Sequence, residues 1–159
     1  MVSNQNFASV EQALERLYRL TSSRKAHSLQ TTAVGAVVAR AGYNVLRCVH
    51  DARQVTLGEI AQHCSMDPAA AGRQVRSLQD DGLLLRSTDA TDARVTNVRL
   101  TPLGREVYRR IVVVRTRHLR DVLANWSPAD CVGLASLLDR LVDDLRSVPF
   151  QAAAVTGAR

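Results

Sequence analysis

A chain of 159 residues, 46% of them apolar, is long enough for one domain with a sizeable core or for one subunit of a small dimer. Only 4% of its residues are aromatic and Gly and Pro are scarce, so Leu, Val and Ala must do the packing, which favours helices and argues against a β-sandwich. The formal net charge of +6 points to an acidic partner, nucleic acid foremost, and the longest apolar run, near residues 33–39, is far too short to span a bilayer.

Residues 1–7 are polar and read as a frayed end. From Ala8 onward, Val10, Leu14, Leu17 and Leu20 recur at spacings of three and four, which predicts a first helix running to about Leu29 with Ser3 or Ser9 as its cap. Residues 30–35 read as a connection. A second helix is predicted over 37–51, burying Val38, Tyr43, Val45, Leu46 and Val49. Arg53, Gln54 and Val55 read as a short strand or turn. Thr56 followed by Glu59 has the spacing of a capping box, in which each side chain satisfies the other's orphan amide, and opens a short third helix over 57–64 that buries Leu57, Ile60 and Ala61.

Asp67-Pro68 places a capping side chain ahead of a proline and starts a fourth helix, which runs to about Asp81 and stops at Gly82. Its inner face is Ala71, Val75 and Leu78; the opposite face then carries Ala69, Ala70, Arg73, Arg76 and Ser77. Residues 83–87 and 95–100 read as two antiparallel strands joined by a polar tip, a hairpin too small to stand alone. Thr101-Pro102 starts another helix, to about Ala124, and Ser127-Pro128 with Asp130 starts the last, over 128–147, ending before Pro149.

The fold class expected is therefore mainly α with a small β-hairpin wing. A short capped helix, a tight link, a second helix and a hairpin make a winged helix-turn-helix, whose second helix can enter a major groove. Two arginines on its outer face can reach guanine edges or phosphates, and the Ala69 and Ala70 methyls can contact thymine. The charge sum alone does not carry this: residues 53–104 hold six Arg and six acids. The strongest basic cluster lies at Arg105, Arg109, Arg110, Arg115, Arg117 and Arg120, available to flank phosphates or to pair with acids such as Asp143 and Asp144.

The run from Val55 to Val107 resembles the core of the MarR family of bacterial transcription regulators. The resemblance is carried by Gly82-Leu83 entering the wing, by Asp92-Ala93-Arg94 at its tip, and by Leu100-Thr101-Pro102-Leu103-Gly104 leading into the next helix. It implies a homodimer whose N- and C-terminal helices intertwine, with two winged domains on one pseudo-palindromic duplex. It makes Arg73 a groove contact and Arg94 a wing contact oriented by Asp92, with Arg86 also on the wing. It implies residues 1–36 and 105–148 for dimerisation, 37–104 for DNA binding, and 149–159 as a disordered tail. It further implies a repressor released by a small aromatic or phenolic effector. Ser77 stands where another basic residue is expected, and Arg76 where the family is often acidic.

No catalytic constellation is present: His27, His50, His63 and His118 are scattered, and no phosphate loop or nucleophile motif occurs. No cofactor or metal is expected. Cys48, Cys64 and Cys131 are odd in number and widely spaced, which suits a reducing cytoplasm, as does a polar N-terminus without a leader pattern. Two alternatives remain open at this stage: a cysteine-based redox-sensing regulator, and an architectural protein that binds DNA without sequence preference.

Overall fold

The computed structural model describes residues 4–21, 38–89, 92 and 95–148. In chain order the elements are α1 (Asn4–Thr21), α2 (Arg40–Ala52), β1 (Val55–Thr56), α3 (Leu57–His63), α4 (Pro68–Asp80), β2 (Leu84–Thr88), β3 (Thr96–Leu100), α5 (Pro102–Val122) and α6 (Pro128–Ser147). The chain divides into two compact units, Met1–Arg117 and His118–Arg159. The expected disordered tail, the connection over 30–35 and the first helix beyond Thr21 lie outside the described residues.

In the first unit, α2 to β3 and the start of α5 enclose one core. Leu46, Ile60, Leu84, Ile111, Val45, Val49, Val75 and Val98 are fully buried, so every element from α2 to α5 except β1 contributes a side chain with no solvent contact. Val55 of β1 is buried as well. The buried set expected for α2 is found intact, and α4 turns Ala71, Val75 and Leu78 inward as the spacing required. Leu57 is only half-buried at the edge of this cluster.

The hairpin is one side of a three-stranded antiparallel sheet of order β1-β3-β2. Val55 and Thr56 pair with Val98 and Asn97, while Leu84 to Thr88 pair with Leu100 back to Thr96. The third strand answers the stability problem of a lone hairpin, because β3 then has partners on both edges. The chain reaches β1 through Arg53, whose φ of 64° lies in the left-handed region while the Gln54 amide donates to the Ala52 carbonyl at 2.8 Å. That three-residue turn is rare and strained for a residue with a Cβ.

Three boundaries differ from those expected by two residues or more. Helix α1 begins at Asn4 rather than Ala8, and Ser9 lies inside it, its hydroxyl donating to the Gln5 carbonyl at 3.0 Å instead of capping. Polar residues such as Asn4, Gln5 and Asn6 disfavour a helix only weakly, and the apolar spacing marks the face of a helix, not its end. Helix α2 begins at Arg40, three residues later than expected, and α5 stops at Val122.

Helices α1 and α6 have no buried residue. Phe7, Val10, Leu14, Leu17, Tyr18 and Leu20 of α1 are all exposed, as are Leu137, Leu138 and Leu145 of α6. Helix α6 is nevertheless well begun: the Ser127 hydroxyl accepts from the Asp130 amide at 3.1 Å, and Asp130 completes the capping box. No helix among the described residues is long and apolar enough to cross a membrane.

Candidate nucleic-acid interface

The helix-turn-helix is built from three local devices. Thr56 Oγ1 accepts from the Glu59 amide at 3.2 Å while Glu59 Oε2 accepts from the Thr56 amide at 2.7 Å, so the capping box fixes where α3 starts. The same backbone bond, with the Thr56 hydroxyl, holds the Glu59 carboxyl below the usual glutamate range. After α3 the Met66 amide donates to Ala61 at 2.9 Å, and Ser65 takes a left-handed φ of 52° that closes the tight link. Asp67 Oδ1 then accepts from the Ala70 amide at 2.8 Å, with Pro68 at the first helical position of α4.

With one face of α4 in the core, Arg73, Arg76 and Ser77 stand in solvent together with Ala69, whereas Ala70 is half-buried. The outward side of α4 thus offers two guanidinium groups and a hydroxyl, five fixed N–H donors per arginine, suited to phosphate oxygens and to the O6 and N7 acceptors of guanine. Gln74, on the flank of α4, is half-buried, and its Oε1 lies 3.7 Å from where a Cβ on Gly42 would stand, at the contact of α2 with α4.

The wing is clamped at its base. Gly82 takes a φ of 71° and ends α4, as its position predicted. The Thr101 amide donates to the Leu83 carbonyl at 3.0 Å, the Thr101 hydroxyl donates to Gly82 at 2.7 Å, and the Gly104 amide donates to Thr101 Oγ1 at 2.8 Å. A Cβ on Gly104 would overlap the Leu83 carbonyl. These contacts give the Gly82-Leu83 and Leu100–Gly104 motifs one physical meaning: they lock the entry and exit of the wing to the start of α5.

Arg86 is exposed on β2 and Asp92 is exposed in the loop. Arg94 lies outside the described residues, and with it the expected pairing to Asp92. The loop is shaped by residues that sequence reasoning missed. Asn97 Nδ2 donates to Asp89 Oδ2 at 2.8 Å, the Asp89 amide donates to Val95 at 2.9 Å, and the Val95 amide donates to Asp92 at 3.0 Å. An acid at the end of the outgoing strand and an amide on the returning one was the available signal.

Much of the basic cluster of α5 is structural within the first unit. Glu106 pairs with Arg109 at 2.9 Å and with Arg110 at 2.8 Å, and Arg105 Nη1 donates to the Leu100 carbonyl at 3.0 Å. Arg115 lies 3.7 Å above the ring of buried Tyr43, which stacks on Tyr108 at 6.0 Å; the His50 ring is 4.4 Å from Tyr108. A guanidinium over a desolvated aromatic face is attracted by the ring quadrupole. Burial also pushes the Tyr108 phenol up.

Cys48 of α2 and Cys64 at the end of α3 are both half-buried and packed against the core. Burial pushes the Cys48 thiol up to about 11, and the neighbouring Cys64 adds to the rise. Burial raises Cys64 too, with a partial offset from the Cys48 hydrogen bond. Thiols held protonated are poor nucleophiles.

Residues 40–96 match the model of the MarR family. Over 134 residues the chain is 25% identical to the uncharacterized HTH-type transcriptional regulator YdgJ of Bacillus subtilis (strain 168), covering 84% of this chain and 81% of that protein. A MarR family protein from Bacillus stearothermophilus has the same fold, with a TM-score of 0.77 at 18% identity over 92% of this chain and 99% of that one. BpsR of Bordetella bronchiseptica, whose DNA binding is regulated by 6-hydroxynicotinic acid, matches with a TM-score of 0.65 at 24% identity, covering 84% of this chain and 93% of that one.

Proposed function

We propose that this chain is a DNA-binding transcription regulator of the MarR type and not an enzyme, that it acts as a homodimeric repressor on a pseudo-palindromic operator, and that it is released by a small aromatic or phenolic effector; the family match over residues 40–96 and the likeness to YdgJ support the first part. The observation that carries the reading is the outward side of α4: Arg73, Arg76 and Ser77 are exposed on a helix whose opposite side is fully buried, beside a wing clamped at its base. Arg73, Arg76, Ser77, Ala69 and Ala70 face the major groove in this reading, and Arg86, Asp92 and Arg94 act from the wing.

The homodimer is supported by the apolar residues that α1 and α6 leave in solvent, a load far beyond scattered surface leucines. A second chain would cover them and supply a second α4 one helical turn of DNA away, about 34–36 Å. Release by an effector is supported by the likeness to BpsR. The ligand would need different affinities for the DNA-competent and incompetent arrangements to shift their populations. A peroxide-sensing role for Cys48 or Cys64 is disfavoured, because both are packed against the core and burial raises both thiols.

Selection of bound duplexes from a random pool gives the operator, and Arg73→Ala and Arg94→Ala are then compared on it by gel shift. A base-reading arginine costs about 1–3 kcal/mol and relaxes preference at one position when removed; a phosphate contact instead flattens the salt dependence. Each variant is expected to lose affinity in one of these two ways. Unchanged binding by both contradicts the assignment, and broad protection without a preferred sequence favours an architectural protein instead.

A further inference from the structure

The inner face of the wing changes character where it passes the end of α4. Directly paired residues of antiparallel strands share a face. The pairs Leu84 with Leu100 and Arg86 with Val98 place Arg86 on the same face as three buried apolar side chains. One pair further along, Thr88 and Thr96 lie on that face as well. A guanidinium and two hydroxyls thus succeed the leucines and the valine where the core stops. With Gln79 of α4 and Ser87 they line a notch of about 240 Å³.

The notch is made of donors. Among the described residues no carboxylate lines it, although Asp80 and Asp81 follow Gln79 in sequence. Asp89 belongs to the other face of the wing, where it accepts from Asn97. On α4, Gln79 follows Arg76 by three residues, so the two are neighbours along one flank of the helix. When α4 lies in a major groove, the sugar-phosphate strand bordering that groove runs along such a flank, between helix and wing.

We propose that this notch is a seat for a single DNA backbone phosphate. Arg86 supplies the charge, Thr88 and Thr96 supply hydroxyl donors, and the Gln79 amide closes the α4 side. The seat rests on the DNA-binding reading above and adds Gln79, Thr88 and Thr96 to it. Its role is to fix the register of α4 in the groove, since phosphate contacts position a protein without carrying sequence information.

The test uses the full chain on the selected operator and on an unrelated duplex. Arg86→Gln is expected to weaken binding by the same factor on both and to make the slope of log affinity against log salt shallower by about 0.9. Thr88→Val together with Thr96→Val keeps the strand but removes both hydroxyls; it is expected to weaken binding on both duplexes with the salt slope unchanged. In ethylation interference, one phosphate per half-site that hinders the wild-type protein should cease to matter for Arg86→Gln. If the wild type binds and Arg86→Gln keeps its affinity, salt slope and interference pattern, the seat is wrong and the regulator reading survives. A loss confined to one base-pair position would also overturn it. So would a thermal stabilisation of the wild type by inorganic phosphate at constant ionic strength that Arg86→Gln abolishes, because the notch would then hold a free anion. A wild type that binds neither duplex overturns the seat together with the reading beneath it.

Discussion

Cys48 and Cys64 illustrate how position decides what a residue type does. Either thiol could serve a redox sensor as far as the sequence alone is concerned. The fold sets both against the core and against each other, and burial raises both. At pH 7 the two are expected to resist alkylation and peroxide in the native protein and to react readily once it is unfolded. Rapid, peroxide-sensitive modification of either in the folded state contradicts this. The raised Cys48 also fixes a sign. Below the ordinary thiol value of about 8.5 both folded and unfolded states keep the proton. As pH climbs from there towards about 11 the unfolded chain loses it first, so stability falls over that interval.

Among the elements, those with local rules were legible from the sequence. Thr56 with Glu59, Asp67 with Ala70, and Ser127 with Asp130 each start a helix by contacts three residues apart, and each helix starts where the capping residues predicted. Strand β1 was open between strand and turn because two residues carry no periodicity and its pairing partner, β3, lies some forty residues on. The Asp89–Asn97 bond and the polar notch were missed for the same reason, since both depend on strand register. The clamp joining wing to α5 makes the strongest element-scale prediction. Gly104→Ala forces a methyl against the Leu83 carbonyl, which cannot move without pulling Gly82 and Thr101 with it. A loss of at least about 1–3 kcal/mol is expected in denaturant unfolding, along with weaker DNA binding because the wing is displaced. Wild-type stability in this variant would show that the clamp is slack.

At the scale of the whole molecule, the winged helix-turn-helix closes its own core, whereas among the described residues α1 and α6 bury none of their side chains. Amphipathic spacing reveals that a helix has a face to bury; it does not reveal whether the covering surface comes from the same chain. The helices of the two ends were thus legible from their spacing, while a second chain as their cover was the expectation that the family resemblance supplied. The proposed function joins two requirements: a second chain must cover these faces, and two copies of α4 must meet one duplex. Both are read at once by the mass of the protein–operator complex in analytical ultracentrifugation, combined with hydroxyl-radical footprinting of the same sample. The account predicts two chains per duplex and two symmetric protected segments centred about one helical turn, roughly 10–10.5 base pairs, apart. One chain per duplex with a single protected segment contradicts it.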